Sequence, residues 1–545
     1  MKESIYKTDV VIAGAGLSGL VTALELINQG KKVIVLDRDS QENLGGLALW
    51  AFGGMFFVNT MEQRLGGIKD STDLALKDWY SFGEFTDTTN LRAQWASQYV
   101  HSCTDYVYRW LKQHDVGFFP IVHWVERGLY KQGNSVPRFH MVWGTGNWLA
   151  RAIVMHIQKH KNAKNCEFKF KHFVNDISVE GNQIKGVSGI DEQNNIPFKV
   201  EAETVVVASG GIGGDVERVK QNWYQPWGKA PEIILNGNNA YNRGDVHDAA
   251  VKRVNANLLN LDKMWMYAAG VHHPEPKFKD HGLSLVPPKS ALWLNYKGER
   301  IGPRPLVTAY DTRYNVERIC AQEKKYSWQI LNKKIAVKEL AISGAQHNPD
   351  IRDKKVFKFL RAALKGNPAL VEDMLKNCKD FVTANSLEEL VEKMNKLEGT
   401  NDVDLNTLRK VVNDYDAAID RGPDFEADEQ LKMIKKAREY RGDKARTCNF
   451  QKINDKSAFP LIAIREFILS RKSLGGIETD LECRVLTKPA NGKQETIPGL
   501  FAVGEAAGFG GGGMHGLRTL EGTFLGGCVL TGRVAAHAIV GKKLI

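Results

Sequence analysis

The sequence contains few cysteines, and they follow no regular spacing. Seven cysteines are scattered over 545 residues, and no two of them form a C-x-x-C pair. This argues against a disulfide framework, an iron–sulfur cluster and attached haem, and it favours reduced thiols in a cytoplasmic protein. No cluster of other metal-ligating residues stands out either, so we predict no metal site.

Long apolar runs and a strong charge bias are also missing. No run approaches the roughly 18 residues of a membrane-spanning helix, and the first predicted strand begins too early to leave room for a signal peptide. Lys and Arg number 74 against 63 Asp and Glu, giving a net charge of +11 that is spread through Lys-rich stretches such as 331–365. We therefore expect a soluble protein with no membrane span that binds a small molecule and no nucleic acid.

The organising motif lies near the N-terminus. Apolar runs at Val10–Ala13 and Val33–Leu36 predict two buried parallel strands, and the residues between them have the periodicity of a helix. Glycines at G-x-G-x-x-G spacing follow the first strand, where they allow a tight turn, close approach of a pyrophosphate and close helix packing. An acid after the second strand can accept hydrogen bonds from a ribose. The residues predicted to bind a dinucleotide here are Gly14, Gly16, Leu17, Ser18, Gly19, Asp37 and Arg38.

Further glycine-rich segments recur along the chain. Two Gly-Gly pairs at 45–54 suit a backbone that lies against a flat ring, and the apolar strand predicted at 204–208 runs into more glycines. Near the C-terminus, the strand predicted at 497–503 ends in Gly-Glu, which can bring a carboxylate to ribityl hydroxyls. A helix predicted at 523–540 would aim its N-terminal dipole at a flavin. The further residues predicted to contact the cofactor are Gly45, Gly46, Gly53, Gly54, Ser209, Gly210, Gly211, Asp245, Gly504 and Glu505.

The chain is too long for one core, and its patterns change along its length. Alternating segments at 167–207 predict a small β-meander, whereas 265–449 reads as Lys/Glu/Leu-rich helices without a cofactor fingerprint. The predicted fold class is α/β: a Rossmann-like domain with a parallel sheet and β-meander, plus an inserted, mainly helical domain. We place the first part of the cofactor-binding domain at 1–264, the insertion at 265–449 and the return segment at 450–545.

Six segments resemble the flavoprotein family of soluble fumarate reductase, the succinate dehydrogenase flavoprotein subunit, L-aspartate oxidase and the 3-ketosteroid dehydrogenases. In chain order they read VVIAGAGLSGL, GGLALWAFGGM, VVVASGGIGG, NRGDVHDAA, SLGG and GLFAVGEAAG. The resemblance implies FAD rather than NAD, which the first motif alone leaves open. It also implies that the insertion caps the active site. The segment around Gly45 contains no His of the kind to which the membrane-complex enzymes attach FAD, so we expect noncovalent FAD.

The segment 508–522, which we call the closing loop, contains residues that resemble the substrate-site residues of this family. His515 and Arg518 are similar to the His-Gly and substrate-binding Arg of fumarate reductases, with one residue fewer between them. The paired His of that family is replaced by Arg471 and Lys472. The R-T-Y-P-G segment of the steroid enzymes is similar to residues 518–522, which read RTLEG. The loop thus looks closest to FAD-binding dehydrogenases that resemble ketosteroid dehydrogenase.

The function implied is hydride transfer between flavin N5 and a CH–CH or C=C bond beside a carbonyl or carboxylate. The predicted catalytic residues are Arg518, as the group that polarises the oxygen, with His515 and Arg471 nearby and Glu521 as acid or base. Arg304 and Tyr310 are alternatives for proton transfer. Three other functions stay open: a fumarate reductase-like enzyme, an L-amino-acid or aspartate oxidase, and a non-enzymatic flavin carrier. The sequence indicates no electron acceptor.

Overall fold

The computed structural model describes residues 3–181, 183–422, 424–425 and 428–545. Its strands, in chain order, are β1 (Ser4–Lys7), β2 (Val10–Ala13), β3 (Val33–Leu36), β4 (Gly54–Phe56), β5 (Phe139–Met141), β6 (Cys166–Lys169), β7 (His172–Glu180), β8 (Gln183–Asp191), β9 (Ile196–Glu201), β10 (Thr204–Val207), β11 (Ile234–Asn236), β12 (Leu258–Leu259), β13 (Met264–His272), β14 (Gly282–Val286), β15 (Leu292–Leu294), β16 (Tyr326–Asn332), β17 (Ala341–Ile342), β18 (Phe381–Ala384), β19 (Leu461–Ser473), β20 (Gly476–Ile477), β21 (Arg484–Leu486) and β22 (Thr496–Ala502).

The α-helices within the same ranges are α1 (Leu17–Asn28), α2 (Leu47–Trp50), α3 (Met61–Leu65), α4 (Thr72–Phe82), α5 (Leu91–Ser102), α6 (Arg109–Gln113), α7 (Thr145–Lys159), α8 (Val216–Gln221), α9 (Asp245–Val254), α10 (Thr312–Cys320), α11 (Lys333–Glu339), α12 (Pro349–Arg352), α13 (Val356–Lys365), α14 (Pro368–Asn377), α15 (Leu387–Glu398), α16 (Leu405–Asp420), α17 (Glu429–Arg438), α18 (Arg441–Arg446) and α19 (Thr523–Ile539). The chain divides into two units. The first contains residues 1–222, 238–265 and 472–545, and the second contains residues 223–237 and 266–471.

The first unit is built on a sheet with the strand order β21-β22-β10-β2-β3-β6. Strands β22, β10, β2, β3 and β6 run parallel, and β21 pairs antiparallel at the edge. Strands β2 and β3 are buried at every residue, as expected for apolar runs covered on both faces. The carboxyl ends of β22, β10, β2 and β3 share one edge. The predicted glycine-rich segments therefore leave the sheet side by side.

The predicted β-meander is present as a second sheet. Strands β7, β8 and β9 pair antiparallel in sequence, and β1 adds parallel to β9. The predicted segment 167–207 was too long at both ends, because β6 and β10 belong to the parallel sheet instead. Isolated strand patterns do not say which sheet a strand joins.

Helix α19 packs along α1, so the two ends of the chain meet in the first unit. The hydroxyl of Thr22 donates to the carbonyl of Gly532 at 3.2 Å. A Cβ on Gly532 would lie 2.7 Å from the carbonyl oxygen of Ser18. Glycine at this position thus lets the helices approach closely, which holds the C-terminal motif beside the N-terminal one.

The second unit is not simply helical. It contains helices α10–α18 and a sheet ordered β15-β16-β19-β13-β14-β17, with β11 and β18 also paired to β19. The unit extends to Arg471, whereas the sequence predicted that the insertion ends at 449 and the return segment begins at 450. Strand β19 explains the difference, because its residues 461–467 pair with β16. Strand β16 was missed because it buries Ser327 and Gln329, which interrupt the apolar pattern.

Among the described residues, none of the helices combines the length and apolar character that crossing a membrane requires. Over the same ranges, no three His, Cys, Asp or Glu side chains are grouped so that they could hold a metal ion.

Candidate functional site

The loop between β2 and α1 has the geometry of a phosphate-binding turn. Gly14 has a φ of +115°, and a Cβ there would lie 2.3 Å from the carbonyl oxygen of Ala208. A Cβ on Gly19 would lie 2.1 Å from the carbonyl oxygen of Gly14, whereas a Cβ on Gly16 would meet no atom within 4 Å. Gly14 and Gly19 therefore close the turn, and Gly16 leaves its outer side open to a ligand. Leu17 and Ser18 follow as the first, buried residues of α1.

Asp37 organises the backbone at the end of β3. Its carboxylate accepts hydrogen bonds from the N–H of Ala15 and of Asp39, each at 2.7 Å. Burial raises the pKa of Asp37, although both backbone hydrogen bonds oppose this effect. The carboxylate thus ties the end of β3 to the glycine turn. Its predicted contact with a ribose stays a prediction.

Arg38 and Asp245 lie near each other beyond the same strand end. The Arg38 guanidinium donates to the Glu192 carboxylate at 2.8 Å and lies 3.8 Å from Asp245. It also stacks over the ring of Phe173 at 3.9 Å. Asp245 begins α9, where a carboxylate interacts favourably with the helix dipole. The structure thus brings these two predicted residues together.

The two Gly-Gly pairs differ in their surroundings. The N–H of Gly45 donates to the carbonyl of Ala15 at 3.0 Å, and a Cβ on Gly46 would lie 3.3 Å from the Cα of Gly16. This pair therefore lies beside the phosphate-binding turn. A Cβ on Gly53 would lie 2.7 Å from the N–H nitrogen of Gly146, and one on Gly54 would overlap the ring of Phe139. The second pair packs against protein, and its contact with the cofactor stays a prediction.

Glu505 is the centre of a buried junction of three motifs. Its Oε1 accepts from the N–H of Ser473 at 2.8 Å, and the Ser473 hydroxyl accepts from the N–H of Ile212 at 2.9 Å. A Cβ on Gly211 would lie within 2.6 Å of both side chains. Gly504, at the start of this turn, has a φ of +62° and lies against Ser18. The junction joins the loops after β22, β19 and β10.

The residues at this edge fit a dinucleotide cofactor. The Oγ of Ser209 is buried and has no hydrogen-bond partner among the described residues, so it can serve a ligand. Gly210, with a φ of +75°, turns the chain beside it. The open side of Gly16 and the buried carboxylate of Glu505 add a phosphate-compatible turn and an acceptor for hydroxyls. Turn, hydroxyl and carboxylate belong to neighbouring strand ends of one sheet.

His515 is an internal residue of the closing loop. It is fully buried, stacks on Trp79 at 5.7 Å between ring centroids, and lies 5.0 Å from the ring of Phe524. Its Nε2 is 2.9 Å from the hydroxyl of Thr523, the first residue of α19. Burial lowers the pKa of His515 to about 3, with a smaller effect from Lys472. The imidazole is therefore neutral at physiological pH and buttresses the loop.

Arg518 is buried in the same loop and is paired. Its guanidinium donates to the carboxylate of Glu84 and lies 5.9 Å from the ring centre of Phe82. Burial lowers the pKa of Arg518 to about 10, which leaves it a cation at neutral pH. The Glu84 side chain is 30% exposed, and Lys131 reaches its other oxygen at 3.7 Å. The predicted polarising cation thus has a counter-charge that solvent can reach.

Glu521 also has a defined partner. Its Oε1 accepts a hydrogen bond from the indole N–H of Trp265 at 2.6 Å. The side chain is half-buried, and it lies three residues after Arg518 in the closing loop. Leu520, at the position of the steroid enzymes' Tyr, is buried. Arg518 and Glu521 are thus the charged residues that the loop itself contributes.

Other candidates belong to the second unit. Arg471 donates to the carbonyl of Gly237, and its guanidinium lies 5.7 Å from the ring centre of Tyr267. The hydroxyl of Tyr310 donates to the carbonyl of Met433 at 2.7 Å. The backbone of Arg304 exchanges hydrogen bonds with a tyrosine hydroxyl. Proton transfer by Arg304 or Tyr310 stays a prediction, as does a role of Arg471 beside Arg518.

Sequence reasoning missed Glu84 and Trp265, the partners of the two charged residues in the loop. Neither stands in a motif, and each is more than 250 residues from its partner in sequence. Ser473 could have been predicted, because the SLGG segment begins with it. Its role in joining the strand ends is visible only in the folded structure.

A second buried arginine of the first unit provides a contrast. Arg138 donates to Asp78 at 2.6 Å and to Asp70 at 2.8 Å, and all three side chains are at most 1% exposed. Its hydrogen bonds and charge interactions with these acids raise the pKa of Arg138, against the effect of burial. The amide of Asn134 accepts a further hydrogen bond at 3.0 Å. This cluster is enclosed and structural.

Comparison with known proteins agrees with this geometry. Residues 9–525 match a family described as FAD binding domain. The chain is 41% identical over 548 residues to a KsdD-like steroid dehydrogenase of Mycobacterium tuberculosis (strain CDC 1551 / Oshkosh), covering 97% of this chain and 95% of that one. The predicted relationship to FAD-dependent dehydrogenases and the predicted FAD cofactor are thereby confirmed.

Solved structures show the same fold. The 3-ketosteroid Δ1-dehydrogenase of Sterolibacterium denitrificans, in complex with 1,4-androstadiene-3,17-dione, aligns with a TM-score of 0.71 at 15% identity, over 98% of this chain and 99% of that one. The open conformation of a flavocytochrome c3 fumarate reductase aligns with a TM-score of 0.68 at 20% identity, over 99% of this chain and 79% of that one. These likenesses support the α/β flavoenzyme fold.

Proposed function

We propose that this chain, which belongs to the FAD binding domain family, dehydrogenates a ketosteroid or a similarly rigid, apolar ketone. FAD as cofactor and oxidoreductase chemistry at a CH–CH group follow from the family and from full-length relatives. The substrate class is the new assignment. When bound, the flavin supplies the hydride acceptor.

The pairing of Arg518 with Glu84 carries this proposal. A dicarboxylate such as succinate needs a cation whose charge is available to it, and Glu84 already balances the guanidinium. A ketone oxygen carries no charge in the ground state, so it needs only donors that strengthen as enolate charge develops. The Arg–Glu pair therefore favours a neutral ketone over an anionic substrate. The name of the steroid dehydrogenase relative supports the same choice.

We assign two roles to the closing loop. Arg518 donates to the ketone oxygen of the substrate, and burial strengthens that interaction. Glu521 exchanges the proton of the carbon beside the carbonyl, held in place by the indole of Trp265. His515 supports the loop from inside, since its neutral ring is packed among aromatic side chains.

We also propose how the cofactor is held. The residues assigned to FAD contact are Gly14, Gly16, Leu17, Ser18, Gly19, Asp37, Arg38, Gly45, Gly46, Ser209, Gly210, Gly211, Asp245, Gly504 and Glu505. Residues 43–55 contain no histidine, which supports noncovalent binding. All seven cysteines are free thiols, which supports a reducing, cytoplasmic location. We further propose that the second unit caps the substrate, as the family resemblance implies.

Anaerobic titration of the bound flavin tests the substrate assignment. Saturated 3-ketosteroids should bleach the flavin, whereas succinate and amino acids should leave it oxidised. A matched control is the dithionite-reduced enzyme mixed with fumarate, which should stay reduced.

Other outcomes would replace the proposal with one of its rivals. Bleaching by succinate, or reoxidation by fumarate, would favour a fumarate reductase-like enzyme. Bleaching by amino acids with peroxide release in air would favour an oxidase. A flavin that no small molecule reduces would favour a carrier.

A further inference from the structure

Helix α13 of the second unit exposes an unusual amount of apolar surface. Phe357 is 88% exposed, Leu364 73%, Leu360 49% and Val356 47%, and none of the ten residues of the helix is buried. Single exposed apolar residues are ordinary on protein surfaces. Four large ones on one short helix form a contiguous patch, which marks an interaction site.

The patch occupies one face of the helix. Val356, Leu360 and Leu364 are spaced four residues apart, and Phe357 lies three residues before Leu360, so their side chains are neighbours on the helix surface. Phe359, between them in sequence, is only half-buried on another side. The apolar face therefore points away from the rest of the second unit.

Basic residues flank this face. Residues 352–365 contain six Lys or Arg and one acid, a net charge of +5. The acid, Asp353, is paired with Arg352 at 2.7 Å and Lys355 at 3.2 Å. Lys358, Arg361 and Lys365 are exposed along the edge of the patch.

The neighbouring helix extends the positive charge. Helix α18 packs beside α13 and carries Arg441 and Lys444, both exposed. Its acid, Asp443, is paired with Lys289 at 2.9 Å. Two acids near the apolar face, Asp353 and Asp443, are thus each paired with a base.

We propose that α13 docks the protein onto an anionic phospholipid surface. An amphipathic helix with large apolar residues on one face and Lys and Arg beside them lies in the plane of a bilayer interface. Acyl chains cover the apolar residues there, and anionic headgroups pair with the Lys and Arg side chains. Charge complementarity selects this occupant. A second copy of the chain would bring its own +5 segment against this one and be repelled. The binding is peripheral and independent of the proposed substrate.

Vesicle co-sedimentation of the holoprotein tests this proposal. The probes are vesicles of phosphatidylcholine alone and vesicles in which one quarter is phosphatidylglycerol. The wild type should sediment with the anionic vesicles at low salt, at least tenfold more than with the neutral ones. High salt should release it, since salt screens the headgroup attraction.

Two variants separate the two parts of the surface. Phe357→Ser/Leu364→Ser should lower binding to anionic vesicles at least tenfold, and Lys358→Gln/Arg361→Gln should lower it about as much. Both variants change exposed side chains, so flavin content and unfolding midpoint should match the wild type. The matched control is Leu65→Ser on α3, where a leucine is 76% exposed outside the basic segment; it should bind like the wild type.

Several results would overturn the proposal. They are equal sedimentation with neutral and anionic vesicles, no sedimentation with either, or variants that bind as well as the wild type. Concentration-dependent self-association, measured by sedimentation velocity and lost in the serine variant, would assign the face to a second copy instead.

Discussion

Arg138 and Arg518, two buried arginines of the first unit, are held in different ways. Arg138 is enclosed with two buried carboxylates, those of Asp70 and Asp78. Arg518 is paired with Glu84, whose side chain remains 30% exposed. A ligand would have to break an enclosed network to reach the first guanidinium, whereas it can compete with a solvated carboxylate for the second. Burial therefore does not distinguish these two arginines, whereas the exposure of their counter-ions does.

The largest expected effect is on folding, from Arg138→Met. The substitution leaves two buried carboxylates without their cation, so we expect the free energy of unfolding to fall by about 3–5 kcal/mol. Urea unfolding of the apoprotein measures this. Arg109→Met, at an exposed arginine paired with Asp105, is the control and should change stability by about 0.5 kcal/mol or less. Equal losses in both variants would remove the contrast.

Arg518→Met should affect catalysis far more than folding. Loss of the polarising donor should lower kcat by about 100-fold or more, with flavin content unchanged. The free energy of unfolding should fall by about 1 kcal/mol, because the partner of Arg518 is solvated. Arg518→Lys keeps the charge and should recover part of the turnover. Full turnover in the methionine variant would end the assignment of Arg518.

His515 belongs with Arg138 in this comparison, although it lies three residues from Arg518. Its pKa is about 3 in the folded protein, against an ordinary value of 6.5, so the unfolded chain binds its proton first. The neutral ring thus contributes stability that is fully present above pH 6.5 and lost as the pH falls toward 3. The free energy of unfolding of the wild type should therefore fall with decreasing pH. We expect His515→Asn to make this fall smaller by about 1.4 kcal/mol per pH unit between pH 6 and 4.

Urea unfolding of wild type and His515→Asn at pH 7, 6 and 5 measures that difference. The pH dependence of turnover above pH 6 should be the same in both proteins, since the ring does not titrate there. Identical acid sensitivity of the two unfolding curves would show that His515 is not the enclosed neutral group described here.

The smallest effect is expected from Glu84→Gln. The variant leaves the Arg518 cation without its counter-charge, so succinate should inhibit about fivefold more strongly than in the wild type. Steroid turnover should persist. Competitive inhibition measured at constant ionic strength checks this, with Lys131→Gln as a control that should not tighten succinate binding. Unchanged inhibition in Glu84→Gln would mean that Glu84 does not select against anions.

The features that backbone conformation dictates could be predicted from the sequence. Gly14 and Gly19 have no room for a Cβ, so the motif that marks them is forced by the turn itself. The position of β22 and the start of α19 at Thr523 followed from apolar runs and glycines in the same way. These signals are local, and they located the edge of the sheet to which we assign the cofactor.

The side-chain partners could not be predicted, because they depend on contacts between distant segments. Glu84 and Arg518 are 434 residues apart, and Trp265 and Glu521 are 256 apart. The sheet of the second unit was not predicted for another reason. Strand β16 is buried at every residue although it carries Ser327 and Gln329, so it shows no continuous apolar run. The side-chain partners and this strand depend on tertiary packing, which local sequence patterns do not report.

The central claim, that this flavoenzyme dehydrogenates a neutral ketone, is tested most directly by an anaerobic single turnover with a saturated 3-ketosteroid. The measurement follows flavin absorbance and the absorbance of the conjugated enone together. We predict that the enone appears at the rate at which the flavin bleaches, and that succinate causes no bleaching. Bleaching by succinate, with the steroid left unchanged, would contradict the account.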